Sequence, residues 1–448
     1  MEQNQNQHMK SSKIFFFSIV VALAGFLFGF DTVVISGADQ QLQAFWQSSD
    51  LFHGLVVMST ALWGTVVGAI FGSIPTNRLG RKKTLMSIGA LFFISALGSA
   101  IASDPYVFAV LRFIGGLGIG VSTVVAPSYV SEIAPPDQRG KLVALYQFNI
   151  VFGILMAYVS NYLLKDIGEN AWRWMLGVEA IPAFIYSMLV LRVPESPRWL
   201  LEYKNDKITA TQILKSIFNN EDVEREIAAI ENEKADEVVN ENIYMKKFRI
   251  PLMLAFFIAF FNQLSGINAF LYYAPRIFEL AGLEKSASFL SSIGIGVINL
   301  VFTLIGISMI DKFGRKTLMY ICSFGYIFSL SLVTAAFALK WEGMLVPLFF
   351  FIFIASHAVG QGAVIWVFIS EIFPTRLRAS GQAFGASVHW ILAAAIPALI
   401  PFLFGQIGPA LVYAFFGVMM VGQLFWVVLK MPETKGQTLE SLAAKLSS

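Results

Sequence analysis

Asp31 and Arg112 are the two residues whose chemistry the rest of the chain has to accommodate. Asp31 lies in GFLFGFDTVVISG (25–37), within an apolar run from Ile14 to Ser36. That run can cross a bilayer, whose hydrocarbon core takes about 20 helical residues. A carboxylate at such depth costs roughly 2.5 to 3.5 kcal/mol, so it requires a protein interior or a wet cavity, and a partner. Arg112, in YVFAVLRFIGGLGIG (106–120), is the candidate partner. With the amino terminus inside, the first span exits near Gly37 and the fourth re-enters near Asp104. At about 1.5 Å per residue, Asp31 then sits about 9 Å and Arg112 about 12 Å below one surface. Two readings are open. The pair is a static buried contact that fixes helix packing, or it is a protonation switch. In the switch, a nearby guanidinium favours the ionised carboxylate, and its withdrawal in an apolar setting favours the neutral acid. A pair that separates once per conformational cycle would take up and release one proton.

The elements that must hold these residues are membrane helices. The chain has 448 residues, 56% of them hydrophobic and 14% charged, with a mean hydropathy of +0.67. This composition excludes an ordinary soluble protein. Apolar runs recur at about residues 14–36, 54–75, 84–102, 106–128, 141–163, 173–192, 249–273, 288–310, 317–338, 346–370, 382–404 and 409–429, which predicts about twelve spans. The first is too long for a signal peptide and lacks a small-residue cleavage site, so it is read as retained. The polar stretch before it, MEQNQNQHMKSS, is expected to be disordered, with His8 simply solvated.

Basic residues set the orientation. Arg78, Arg81, Lys82, Lys83, Arg139, Lys141, Lys312, Arg315, Lys316, Arg376 and Arg378 fall in loops on one side, whereas the other side offers Lys165, Arg173, Arg276, Lys285 and Lys340. Lys and Arg accumulate in the cytoplasm, so both termini are expected there. The net charge of +3 follows from this bias and implies no nucleic-acid partner. Cys322 is the sole cysteine and forms no internal disulfide. The absence of any Asn-x-Ser/Thr acceptor favours a bacterial inner membrane.

Three motifs repeat. NRLGRKKTLM (77–86) returns as DKFGRKTLM (311–319), SEIAPPDQRG (131–140) as SEIFPTRLRASG (370–381), and PESPRWLLE (194–202) as PETKGQTLE (432–440). The chain therefore reads as a duplicated six-span unit with both copies in one orientation, an architecture of secondary transporters. The expected organisation is a tail (1–13), a first bundle (14–192), a charged linker with short helices (193–248), a second bundle (249–430) and a tail (431–448). The repeated motifs are charge clusters at helix ends, where Arg and Lys can bond terminal carbonyls and Glu132 and Glu371 can pair with arginines of a neighbouring loop. Such contacts could hold the inner side shut, or the basic residues could simply fix topology. Gly115, Gly116, Gly118 and Gly120 after Arg112 would let helix backbones approach closely.

The motifs GFDTVVISG, NRLGRKK, RFIGGLGIG, PESPRWL, QLSGINAFLYYAP, DKFGRK, SEIFPTRLRASG and PETKGQTLE together resemble those of the sugar porter family of the major facilitator superfamily, from the first span to the carboxyl-terminal tail. The resemblance implies an all-α membrane protein of twelve helices in two six-helix bundles that rock around a central hexose or pentose site. It implies an aspartate at the position of Asp31 in proton-coupled members and a neutral residue in uncoupled ones. The candidate gating residues in the charge clusters at helix ends are Arg78, Arg81, Glu132, Arg139, Glu195, Arg198, Asp311, Arg315, Glu371, Arg376 and Glu433.

A sugar needs donors, acceptors and aromatic faces, which amides and tryptophans supply. Gln147, Asn262, Gln263, Asn268 and Asn299 match the family's sugar-ligand positions, as do Trp366 and Trp390. Each amide could equally be interhelical glue, and each tryptophan could be packing. Tyr272 and Tyr273 either close over the sugar or belong to an interfacial aromatic belt. Departures from the family pattern are Asn77 for aspartate, Asn262 for glutamine, Ala363 for proline, Ala393 for asparagine, and His389 for an amide; His389 could bond sugar or titrate. His357 reads as packed.

The expected function is import of a monosaccharide with a proton. The alternatives are an uncoupled facilitator on the same scaffold, in which Asp31 is structural, and a sugar sensor, which the short stretch after Lys430 disfavours. No Walker motif, metal-spaced cluster or nucleophile with a base occurs, so neither an ATP site nor an enzyme is expected, and no cofactor. The partners are the sugar, a proton and the bilayer, with the chain working as a monomer.

Overall fold

Backbone N–H and C=O groups at membrane depth have only each other as partners, so every apolar run becomes a helix. The structure, a computed structural model, describes residues 2–135, 138–235, 243–374, 377–437, 442 and 446; of residues 2–11, 139, 220, 221 and 231–235 it describes the backbone alone. Among the described residues there is no strand. Eleven helical stretches among these residues are long and apolar enough to span: Ser12–Trp46, Asp50–Phe71, Arg81–Ile101, Pro105–Ile133, Gly140–Leu164, Ala171–Val190, Lys246–Leu280, Lys285–Phe313, Arg315–Ala338, Leu345–Ile372 and Arg378–Leu429. The last holds two spans, because Gly408 breaks it with φ 79° and ψ 158°, followed by Pro409. The total is the expected twelve.

Two expectations about the first span fail. Its helix runs from Glu2 to Trp46, so the polar amino-terminal stretch is helical rather than disordered, and the span does not end at Gly37. Neither extension contains a proline, and Gly37 packs its bare backbone against the Asn161 side chain. Nothing in the flanking residues stops the ladder.

Helix packing follows the small residues. The first span packs most extensively on the fifth, and the second on the fourth. A Cβ on Gly116 would overlap the carbonyl oxygen of Ala61, and one on Gly64 that of Phe113, so these helices touch backbone to backbone. The linker forms Lys207–Ile217, capped by Asp206, and Asn220–Ala235. Val223, Ile227 and Ile230 share one buried face of the second linker helix, which is thus more amphipathic than its charge suggests.

Two spans of the second half are interrupted. The seventh breaks at Gly266 (φ 86°) between Arg249–Leu264 and Ile267–Leu280, and the tenth at Gly360 (φ −96°, ψ −94°) between Leu345–Val359 and Gln361–Ile372. Broken helices free polar groups at depth and are tolerated where they line a cavity or meet protein.

The two halves are joined at the end of the molecule away from the termini. There Arg276 of the seventh span bonds Gln43 and lies 3.4 Å from Asp39 Oδ2, while Gln40 Nε2 donates to Glu279 at 2.8 Å. Tyr158 donates to the carbonyl of Leu271 at 2.9 Å, and Lys285 to that of Lys165 at 3.4 Å. A Cβ on Gly54 would overlap the backbone of Ala398, so the halves meet here without intervening side chains. This end is shut.

Candidate functional site

Asp31 and Arg112 meet. Both are 1% exposed, and Arg112 reaches Asp31 twice, with Nη1 on the carboxylate Oδ1 and with Nη2 on the backbone carbonyl at 3.0 Å. The second bond ties the guanidinium to the first span whatever the state of the carboxylate. Among the described residues, Asp31 Oδ2 and Arg112 Nε accept or donate no other hydrogen bond.

A third charge was passed over by sequence reasoning. Glu179 is 1% exposed and lies against Asp31 within the field of Arg112. It stands where the sixth span is interrupted, between Ala171–Gly177 and Ala180–Val190. The signal was available, since an ionisable residue inside a spanning run is a functional candidate by default. Two acids thus share one guanidinium. Among the described residues neither Asp31 Oδ2 nor Glu179 Oε1 has a donor, and one proton between them would satisfy both and cancel the surplus charge.

The amides assemble next to the two helix breaks. Gln263 Nε2 donates to Asn262 Oδ1 at 2.9 Å, and Gln263 Oε1 accepts from Asn268 at 2.7 Å. Gln263 also lies 3.3 Å from both ring nitrogens of His389, whose ring sits between those of Trp366 and Trp390, with centroids 5.1 and 4.9 Å away. Trp390 in turn meets Phe28 of the first half at 5.6 Å. One cluster therefore unites Asn262, Gln263, Asn268, Trp366, His389 and Trp390. Gln147, half-buried, and Asn299, 7% exposed, have no hydrogen-bond partner among the described residues. Such free amides are what a polar ligand needs. Ala363 lies against Gly306 of the eighth span, and Ala393 is buried beyond Trp390.

Tyr272 and Tyr273 are fully buried, which overturns the interfacial-belt alternative. Tyr273 donates to the carbonyl of Pro397 at 2.9 Å. Tyr272 lies in the field of Asp31 and Arg112, one helical turn beyond Asn268. That turn connects the amide cluster to the charged one. His357 is satisfied by Tyr326 at 2.5 Å, as packing predicts.

At the end bearing the termini, the repeated motifs form two copies of one contact set. Arg81 grips Glu132 at 2.7 Å, and Glu195 Oε1 accepts from the backbone N–H groups of Arg81 and Lys82 at 2.8 and 3.0 Å. Arg315 grips Glu371 at 2.7 Å, and Glu433 accepts from the N–H groups of Arg315 and Lys316 at 3.0 and 2.9 Å. Each pair lies within its own half. Asp311 adds a contact to Arg315 at 3.2 Å, while on the other copy Asn77 offers its carbonyl to Trp199 at 2.7 Å. Arg198 pairs with Glu202 at 2.7 Å, and Arg78 is exposed. Arg376 and the side chain of Arg139 lie outside what the structure describes.

A family model described as "Sugar (and other) transporter" matches residues 17–446, and the chain belongs to that family. It is 35% identical over 434 residues to the arabinose-proton symporter of Bacillus subtilis (strain 168), covering 95% of this chain and 93% of the relative. It is 33% identical over 478 residues to the D-xylose-proton symporter of Escherichia coli (strain K12), covering 98% and 97%. The inward open conformation of the xylose transporter XylE from E. coli superposes with a TM-score of 0.85 at 33% identity, covering 96% of this chain and 99% of that one. The twelve helices form the two six-helix bundles of the major facilitator fold.

Proposed function

We propose that the chain imports a monosaccharide together with a proton, by alternating exposure of the amide and tryptophan cluster to the two sides of a bacterial inner membrane. The carrying observation is the single turn between Asn268 and Tyr272: a sugar drawn onto Asn268 and Gln263 moves the same short helix, Ile267–Leu280, that presses Tyr272 toward Arg112 and Asp31. Sugar and proton then act on one element, which is the requirement for linkage between two sites.

The residues divide the work. Asp31 and Glu179 hold the proton, and Arg112 moderates it by its distance. Gln147, Asn262, Gln263, Asn268, Asn299 and His389 bond sugar hydroxyls, and Trp366 and Trp390 flank the ring. The bias of basic residues supports cytoplasmic termini, and the shut end is then the extracellular one. The monomer suffices, because both sites lie within one chain.

The experiment is sugar uptake by proteoliposomes with and without an imposed pH gradient. Accumulation driven by the gradient is expected, with Asp31→Asn losing accumulation yet retaining exchange of internal for external sugar. Uptake that merely equilibrates in both conditions would make this an uncoupled facilitator.

A further inference from the structure

The amide cluster continues away from the interface into the second half, and it has a direction. Asn268 Nδ2 donates to Gln263 Oε1 (2.7 Å), Gln263 Nε2 to Asn262 Oδ1 (2.9 Å), Asn262 Nδ2 to Gln361 Oε1 (3.4 Å), Gln361 Nε2 to Gln423 Oε1 (2.8 Å), and Gln423 Nε2 to Ser323 Oγ (2.8 Å). Ser323 closes the series by donating to the carbonyl of Met319 at 2.7 Å. Five amides and a hydroxyl, drawn from the seventh, tenth, twelfth and ninth spans, are joined head to tail. Ser323, Gln361 and Gln423 are 0% exposed, and Asn262 and Gln263 are 2% and 1% exposed.

The anchor sets the direction. A backbone carbonyl only accepts, so the Ser323 hydrogen is committed to Met319 and the Ser323 oxygen must accept from Gln423. The Gln423 carbonyl then takes an N–H from Gln361, and each later amide is oriented by the one before it. Turning any one amide over sets N–H against N–H and O against O in a buried place, at a cost of about 1–3 kcal/mol for each group left unpaired. Gln361 can take part because it opens the second segment of the tenth span just past the break at Gly360.

We propose that Gln361 and Gln423, anchored by Ser323, are positioning residues that dictate which way round the amides of Gln263 and Asn268 face the substrate. This rests on the reading of Gln263 and Asn268 as sugar ligands. With the series intact, Asn268 presents Oδ1 as an acceptor, and Gln263 turns the N–H side of its amide toward His389. The site then offers acceptor and donor in a set order, so it selects sugars by which hydroxyl gives and which takes.

The test uses the purified full chain. Dissociation constants are measured for whichever of D-xylose, L-arabinose and D-glucose binds tightest, and for each of its monodeoxy derivatives. The wild type is expected to penalise loss of one particular hydroxyl by about tenfold or more, the worth of a directed hydrogen bond. Gln423→Met and Gln361→Leu should flatten that profile while maximal counterflow stays within about twofold, raising KM rather than lowering kcat. Ser323→Ala, which removes a single oxygen, should flatten it too, and Ser323→Thr should restore it. An unchanged deoxy-sugar profile in Ser323→Ala and Gln423→Met, even with a lower melting temperature, would reduce the series to a structural one and overturn the proposal. Gln263→Leu separates the two levels: if it leaves binding of every sugar intact, the assignment of the sugar ligands has failed rather than the relay.

Discussion

Arg81 and Arg315, one in each half, occupy equivalent corners: each guanidinium holds a glutamate at the end of the next span in its own bundle, and each backbone N–H is capped by a glutamate that follows the bundle's last span. Gly80 and Gly314 enter these corners with φ of 93° and 87°, and a Cβ on Gly80 would overlap the Glu195 carboxylate. Gly80→Ala should therefore lower stability by about 1–3 kcal/mol, through strain and a lost cap together. Thermal unfolding in detergent measures this. An unchanged melting temperature would mean that the corner yields easily.

Glu179→Gln leaves Asp31 and Arg112 as a balanced pair with no surplus acid. Accumulation in proteoliposomes should fall by about tenfold, which corresponds to roughly 1.4 kcal/mol of coupling, while exchange persists. Full accumulation by this variant would remove Glu179 from the proton site.

Arg112→Met leaves two buried carboxylates without their cation. Loss of one partner of a buried pair costs about 3–5 kcal/mol. The variant should melt earlier, and the double variant Arg112→Met with Asp31→Asn should recover much of that loss. If the second change brings no recovery, the pair contributes little to holding the first and fourth spans together.

At the shut end, Asp39 joins His53 at 2.7 Å and faces Arg276 across the two halves. Arg276→Met combined with Asp39→Asn removes the charge-assisted bond from Arg276 to Gln43, worth about 1.5–3 kcal/mol, together with the ion contact between Arg276 and Asp39, enough to shift a two-state population by about tenfold or more. Spin labels at Asp166 and Glu342, both exposed, should report a longer distance between the halves in the variant. An unaltered distribution would show that backbone packing at Gly54 alone keeps this end closed.

Gly54 and Gly116 make a paired case. Gly54 abuts Ala398 across the halves, whereas Gly116 abuts Ala61 within one half. Gly116→Leu should cost about 1–3 kcal/mol of stability or more by overpacking. Gly54→Leu should leave melting nearly unchanged and push the same label pair apart, since the halves can separate there and the helices of one half cannot.

Much of this was legible from residue types alone. Span number, the duplicated corners and the Asp31–Arg112 pair all follow from the expense of charge in lipid and from repetition. Glu179 obeys the same rule, but it is a single acid within an apolar run, and its closeness to Asp31 depends on how the first and sixth spans pack. Asp39, His53 and Arg276 carried no such flag, because charge near a span terminus is cheap. The first span's continuation to Trp46 was hidden by Gly37, which ends nothing: it makes room for Asn161. Gln361 and Gln423 are visible as amides in apolar runs, but which amide meets which depends on helix breaks at Gly266 and Gly360 that the hydropathy pattern does not register.

The directed amides lie wholly in the second half, and the acids with their guanidinium wholly in the first. On the function proposed above, the proton site is confined to the first copy, while the sugar site takes most of its ligands from the second and only Gln147 from the first. A protein built this way can change most of its cargo preference by drift in one copy without altering how uptake is driven, and chimeras that exchange second halves among relatives should take most of their sugar preference from the donor and their proton coupling from the recipient.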